Sequence, residues 1–209
     1  MKEGKTIGFA LLLFLIFEAF YSGWDFSVNA LNKIFALESV ALISVALLIG
    51  SLSRFFPRLN QFKPRRRALG IIGFALASIH LLLSLWLWFA FDFTKLISSP
   101  RLTAILTGFL AFFIFLAMAL TSTESAIRKL GYPLWKKIQM LGYLALAFVV
   151  THFFLAETKN GVFLVKPLAF AVLVLAIFAV AARFAAFLAG FPGKKKIEEH
   201  VDATEQRMP

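Results

Sequence analysis

The segment Lys136–Phe154, KKIQMLGYLALAFVVTHFF, sets two lysines against an apolar run and places a single histidine near its far end. At about 1.5 Å of rise per residue such a run crosses a hydrocarbon layer of roughly 30 Å as a helix. It lacks the alternation of a membrane β-strand, and a helix satisfies its own backbone where no water is present. The pattern recurs along the chain. Spans are read at 6–22, 34–52, 69–91, 102–121, 138–156 and 162–189, joined by short connections that favour antiparallel neighbours. The expected fold is an all-α integral membrane protein, a six-helix bundle over residues 1–191, with a charged tail at 192–209.

Composition agrees. The chain has 209 residues, is 60% hydrophobic and has a mean hydropathy of +0.83, too apolar for a soluble domain of this length. The first run lacks a small-residue cleavage site and reads as a span, not a removable signal. With no cysteine, disulfides and thiolate-held metal clusters are excluded. The net charge of +11 sits between and after the apolar runs, without a basic-aromatic surface, which argues against nucleic acid as a partner. With the N-terminus inside, seventeen of the 22 lysines and arginines fall on inner segments and five on outer ones, namely Lys33, Lys95, Arg101, Lys159 and Lys166. Both termini are therefore expected in the cytoplasm, and spans three and five both run from inside to outside.

His80 and His152 lie in spans three and five, while His200 belongs to the polar tail. Counted from the basic inner ends, both span histidines are past the midplane, at similar depth. One reading is that each hydrogen-bonds a neighbouring helix and locks the bundle. The other is functional, because ionisable groups in lipid are costly and face a purposeful interior. A zinc ion wants three or four ligands, and neither span offers a third histidine or a carboxylate at that depth. Two imidazoles across a bundle suit the iron of a b-type haem, whose filled coordination favours electron transfer. Gly70, Gly73 and Ala77 near His80, and Gly142 and Ala145 near His152, are small enough to let a flat macrocycle approach, and they serve helix packing equally well.

Two longer stretches carry a resemblance. TSTESAIRKLGYPLWKKIQMLGYLALAFVVTHFF and RRRALGIIGFALASIH resemble the signature motifs of ferric reductase-like transmembrane proteins. The short branch without a flavin domain is the most similar, that of the MsrQ- or YedZ-type haem-binding membrane subunits of periplasmic methionine sulfoxide reductase systems. Four-histidine members of the family hold an inner and an outer haem between spans three and five. Carried onto this chain, the resemblance makes His80 and His152 the axial ligands of the outer haem. The inner pair falls on Arg66, fourteen residues before His80, and Gln139, thirteen before His152. An arginine at the first inner position is similar to the methionine sulfoxide reductase branch; Gln139 is the departure, since glutamine is a poor ligand for low-spin haem.

One haem b is therefore expected. Arg66, Gln139 and Tyr143 are then candidates to line an inner site for a quinone, a flavin such as FMN, or an acidic headgroup. The expected function is a cytochrome in the cytoplasmic (inner) membrane. It passes electrons from a quinol or reduced flavin to an outer-side reductase such as a periplasmic molybdoprotein, as a subunit and not a self-contained enzyme. A cofactor-free transporter or scaffold is the alternative, although neither inverted repeats nor broken midplane helices are visible. Glu18 and Glu38 read as interfacial acids, and Arg183 as a cation snorkelling to headgroups.

Overall fold

The structure is a computed structural model that describes residues 2–163 and 165–189. The charged tail at 192–209, and with it His200, lies outside the described residues. Six helices are long and apolar enough to cross a membrane. They are α1 (Lys2–Phe17, continued by a π-helical turn Glu18–Ser22), α2 (Val28–Leu52), α3 (Arg66–Phe89), α5 (Leu102–Leu120), α7 (Tyr132–Glu157) and α8 (Pro167–Leu188). A 3₁₀ segment, Pro57–Arg65, leads into α3, and two short helices, α4 (Phe93–Ile97) and α6 (Glu124–Leu130), cap connections. The ends at Leu52, Arg66, Leu120, Tyr132 and Leu188 lie on one side, which also carries most of the basic residues; it is called the basic end below.

Three helix starts differ from expectation by five or six residues; one is that of α7, which begins at Tyr132 and not at 138. The second span begins at Val28, six residues early, because Ser27 caps it: its hydroxyl accepts from the Ala30 amide at 3.3 Å. The sixth begins at Pro167 and not at 162, because Asn160 and Gly161 adopt positive φ (51° and 76°). They close a two-residue hairpin that pairs Thr158 with Phe163 and Lys159 with Val162 (β1, Thr158–Lys159; β2, Val162–Phe163). Asn-Gly is the strongest short hairpin signal in any sequence, and here it cuts an apolar run that would otherwise read as one helix.

Helix α2 is the hub. Of its apolar window 67% is buried, against 11–33% in the other five spans, because α3, α8, α1 and α7 all pack on it. Its Ile43, Leu47 and Leu48 meet Ala111 and Phe115 of α5, Ala145 and Leu146 of α7, and a row of alanines on α8. In lipid the drive to associate is close packing, so small residues at helical spacing, as at Ala176, Ala179 and Ala182, mark the seam. Large apolar side chains such as Phe20, Leu82, Phe113 and Phe184 point outward, where a bilayer would solvate them.

Early initiation of α2 also relocates an acid. Glu38 is ten residues into the helix, about 15 Å from its start, and only 2% exposed. Glu18 is fully buried as well: the π-helical turn swings its carboxylate inward, where it accepts from the Ser22 hydroxyl. Both carboxylates are thus buried within the bundle.

Gly73 shows how tight the α2–α3 seam is. A Cβ there would lie 2.8 Å from Ile43 Cγ1 and 3.1 Å from the Ser39 carbonyl. Alanine gains about 1 kcal/mol of helix propensity, but overpacking against a backbone oxygen costs about 1–3 kcal/mol. Gly73→Ala is expected to lower the thermal midpoint in detergent, whereas Gly70→Ala, with nothing within 4 Å, is expected to leave it unchanged or raise it.

Candidate functional site

His80 sits on α3 and His152 on α7, both partly buried. Each ring is oriented by a different helix. His80 Nδ1 faces two oxygens of Asn32 on α2, the side-chain Oδ1 at 2.9 Å and the main-chain carbonyl at 3.1 Å. The Asn32 amide is in turn held by its own donor, since Nδ2 donates to Ser84 Oγ at 3.0 Å. Ser84 is one turn beyond His80 on the same face of α3, so the amide bridges two side chains of one helix stripe. His152 Nδ1 faces the Ala104 carbonyl of α5 at 2.7 Å.

These contacts decide the tautomer. Every oxygen in question accepts, so Nδ1 of each ring must carry the proton and donate. In the neutral ring Nε2 is then left with its lone pair, the arrangement found when a histidine ligates metal and its second nitrogen is tied to a carbonyl or carboxylate. The residues present fit the iron of a haem: two neutral imidazoles, on different helices, each with Nε2 uncommitted.

Two contributors were not legible as site residues. Asn32 shows in the sequence only as an amide two residues ahead of the expected second span. Gly108, in the middle of α5, is the second. A Cβ on it would lie 2.8 Å from His152 Nδ1 and 3.1 Å from Cε1. Its missing side chain is what lets the imidazole lie against α5 and reach Ala104. A glycine at mid-span was the available signal.

The small residues singled out beside the histidines stand at helix contacts. Gly73 meets α2, Gly142 faces Met118 of α5 and Leu47 of α2, and Ala145 is fully buried in the central core. Ala77, one turn before His80 on α3, is partly buried.

The remaining candidates assemble elsewhere. Arg66, Gln139, Tyr143 and Gly70 line a cavity of about 390 Å³ at the basic end, which neither histidine lines. Arg66 Nε donates to the Ala46 carbonyl at 2.7 Å. Gln139 Nε2 donates to the Met118 carbonyl (3.1 Å) and to Thr121 Oγ1 (3.2 Å), both where α5 ends and its last carbonyls lack helical partners. Tyr143 Oη donates to the Leu47 carbonyl at 3.0 Å and lies 2.9 Å from Ser51 Oγ. Arg183 packs along α7: its guanidinium lies 5.5 Å from the Tyr143 ring and reaches Met140 Sδ at the exposed edge of the bundle.

The fold and site define a bundle of helices long and apolar enough to cross a membrane, with His80 and His152 on separate helices and each Nδ1 tied to a carbonyl. The chain belongs to the family of ferric reductase-like transmembrane components, whose model matches residues 7–151. His80 lies inside that stretch and His152 immediately follows it. The chain is 29% identical over 156 residues to the protein-methionine-sulfoxide reductase heme-binding subunit MsrQ of Caulobacter vibrioides, covering 70% of each chain. It is 35% identical over 113 residues to MsrQ of Azospira oryzae, covering 54% of this chain and 47% of that one. The magnetosome protein MamZ of Magnetospirillum gryphiswaldense is 35% identical over 98 residues, 46% of this chain but 15% of MamZ.

Proposed function

We propose that this protein is the haem-binding membrane subunit of an electron-transfer system, with one b-type haem held between His80 Nε2 and His152 Nε2 in the outer half of the bundle. The observation that carries the reading is the pair of Nδ1–carbonyl bonds, which leaves both Nε2 atoms with a free lone pair. Similarity to proteins named as heme-binding subunits supports it. Bound there, haem supplies one-electron redox chemistry at a six-coordinate iron.

The chain's own residues do the rest. Asn32 and Ala104 hold the two protons on Nδ1 and set the ring planes, and Gly108 makes space for one of them. Arg66 has no lone pair to offer a metal, and the Gln139 amide is committed to the end of α5. A single haem follows. The reading places the protein as a multi-pass component of the cytoplasmic membrane, both termini cytoplasmic, since the basic end of the bundle belongs inside. Electrons arrive from a quinol or a reduced flavin and leave to an outer-side reductase, in keeping with the relatives' assignment to methionine sulfoxide reduction.

The test is the haem content of the purified protein with its oxidised and dithionite-reduced spectra. About one haem per chain with a low-spin b-type spectrum is expected; a colourless protein expressed with ample haem would sink the proposal. A finer expectation concerns Asn32. Removing its Oδ1 in Asn32→Leu weakens the pull on the His80 Nδ1 proton, makes the imidazole a poorer donor and disfavours the ferric state. The reduction potential is expected to rise in Asn32→Leu and to fall in Asn32→Asp, with haem retained in both. An unchanged potential in a redox titration of the pair would show that Asn32 only packs.

A further inference from the structure

Six cationic side chains line the cavity at the basic end: Arg54, Lys63, Arg66, Arg67, Lys136 and Arg183. Among the described residues no aspartate or glutamate lines it. Positive charge at this end of a bundle is ordinary, and long cationic side chains there normally extend outward to the headgroups. Two of these do the reverse.

Arg66 is the first residue of α3, yet its guanidinium reaches back into the bundle to the Ala46 carbonyl. Ala46 is six residues from the end of α2, about 9 Å up the helix. The guanidinium occupies a notch at Gly50, where a Cβ would lie 2.6 Å from Cζ. Arg183 folds back along the cavity wall, onto the Tyr143 ring and Met140, instead of extending away from it. The groups that the two guanidiniums contact here are neutral: a carbonyl, a phenol ring and a thioether. They orient the charges without discharging them. A cation drawn below the surface is costly unless an anion meets it.

The other wall of the cavity is apolar, built from Ile43, Leu47, Ile71, Phe74, Phe115 and Met118. The occupant that satisfies both walls carries a compact negative head and a hydrocarbon body. A neutral quinone leaves the charges unmet, and a soluble phosphate leaves the apolar wall bare. We propose that this cavity seats the headgroup of an anionic phospholipid, its phosphate between Arg66 and the lysines of the mouth and an acyl chain along the apolar wall. Arginine suits a phosphate through its planar fork, lysine as a point charge. Basic pockets between membrane helices hold acidic headgroups in this manner. The site stands on the cavity alone and does not depend on whether the histidines hold haem.

The intact protein in mixed micelles of equimolar phosphatidylglycerol and phosphatidylcholine tests this, with lipid retained after detergent washing counted by native mass spectrometry. One phosphatidylglycerol per chain is expected to survive, preferred over phosphatidylcholine by about fivefold or more, and the preference is expected to fall about fivefold in Arg66→Gln. The double variant Lys63→Gln/Lys136→Gln, which changes only exposed residues at the mouth, is expected to lower it as well and carries the test if Arg66→Gln does not fold. Equal retention of the two lipids, or a preference unmoved in the variants that fold, overturns the proposal. A parallel arm offers inorganic phosphate and flavin mononucleotide; retention of either in place of the lipid assigns the cavity to a soluble phosphate and overturns the lipid.

Discussion

Replacing either His80 or His152 by alanine is expected to strip the protein of haem. Iron held between two imidazoles loses half its protein ligation when one is removed, and the donors around it offer no substitute of comparable strength. Asn32 and Ser84 are already bonded to one another, and Ala104 contributes only a carbonyl. Loss of a mere outer partner of a ligand costs 10–100-fold in metal affinity, so loss of the ligand itself is expected to cost more than about tenfold. Haem per chain should fall from about one to near zero in both variants, while the helical circular dichroism stays intact because neither ring belongs to the buried core of α2, α5, α7 and α8. If both variants keep a low-spin spectrum, the ligands are elsewhere. If only one does, the haem is held by that one's partner and a third donor.

The second large effect is expected at a residue that has no side chain. Gly108→Ala adds a methyl 2.8 Å from His152 Nδ1. Glycine to alanine in mid-helix is worth about 1 kcal/mol in favour of the variant. The added carbon cannot stay there, however, unless the imidazole swings away from α5, which breaks its bond to Ala104 and misdirects Nε2. Haem retention is expected to drop several-fold with the fold preserved or slightly stabilised. Gly70→Ala, on a helix face with nothing within 4 Å, is the matched control and is expected to keep its haem. Equal haem content in the two variants, measured on protein of equal thermal midpoint, would mean that His152 is not placed by its contact with α5.

Much of the architecture could be read from local sequence. Apolar runs of span length have one backbone solution in lipid, the helix. The positions of His80 and His152 were legible for the same reason, because an ionisable ring in an apolar run is conspicuous. Boundaries failed where a local signal outweighed hydropathy. Ser27 starts α2 ahead of the apolar run, and Asn160-Gly161 turns the chain before α8. The burial of Glu18 and Glu38 was not legible either, since it depends on a π-helical turn and on the helices that pack around α2.

The site's supporting groups were a different case. Asn32, Ala104 and Gly108 come from α2 and α5, and their relation to the histidines on α3 and α7 is one of distance and direction across helices. The contacts of Arg66 and Arg183 are of the same kind: both look like surface cations until the position of Ala46 and Tyr143 is known. By itself the sequence determined six helices long and apolar enough to span a membrane and the place of two histidines within them, since hydropathy and backbone satisfaction act residue by residue along one chain. Only the tertiary structure decided which nitrogen of each ring is free and which cations fold back onto the bundle, because a proton or a charge settles according to the acceptors that neighbouring helices bring within about 3 Å.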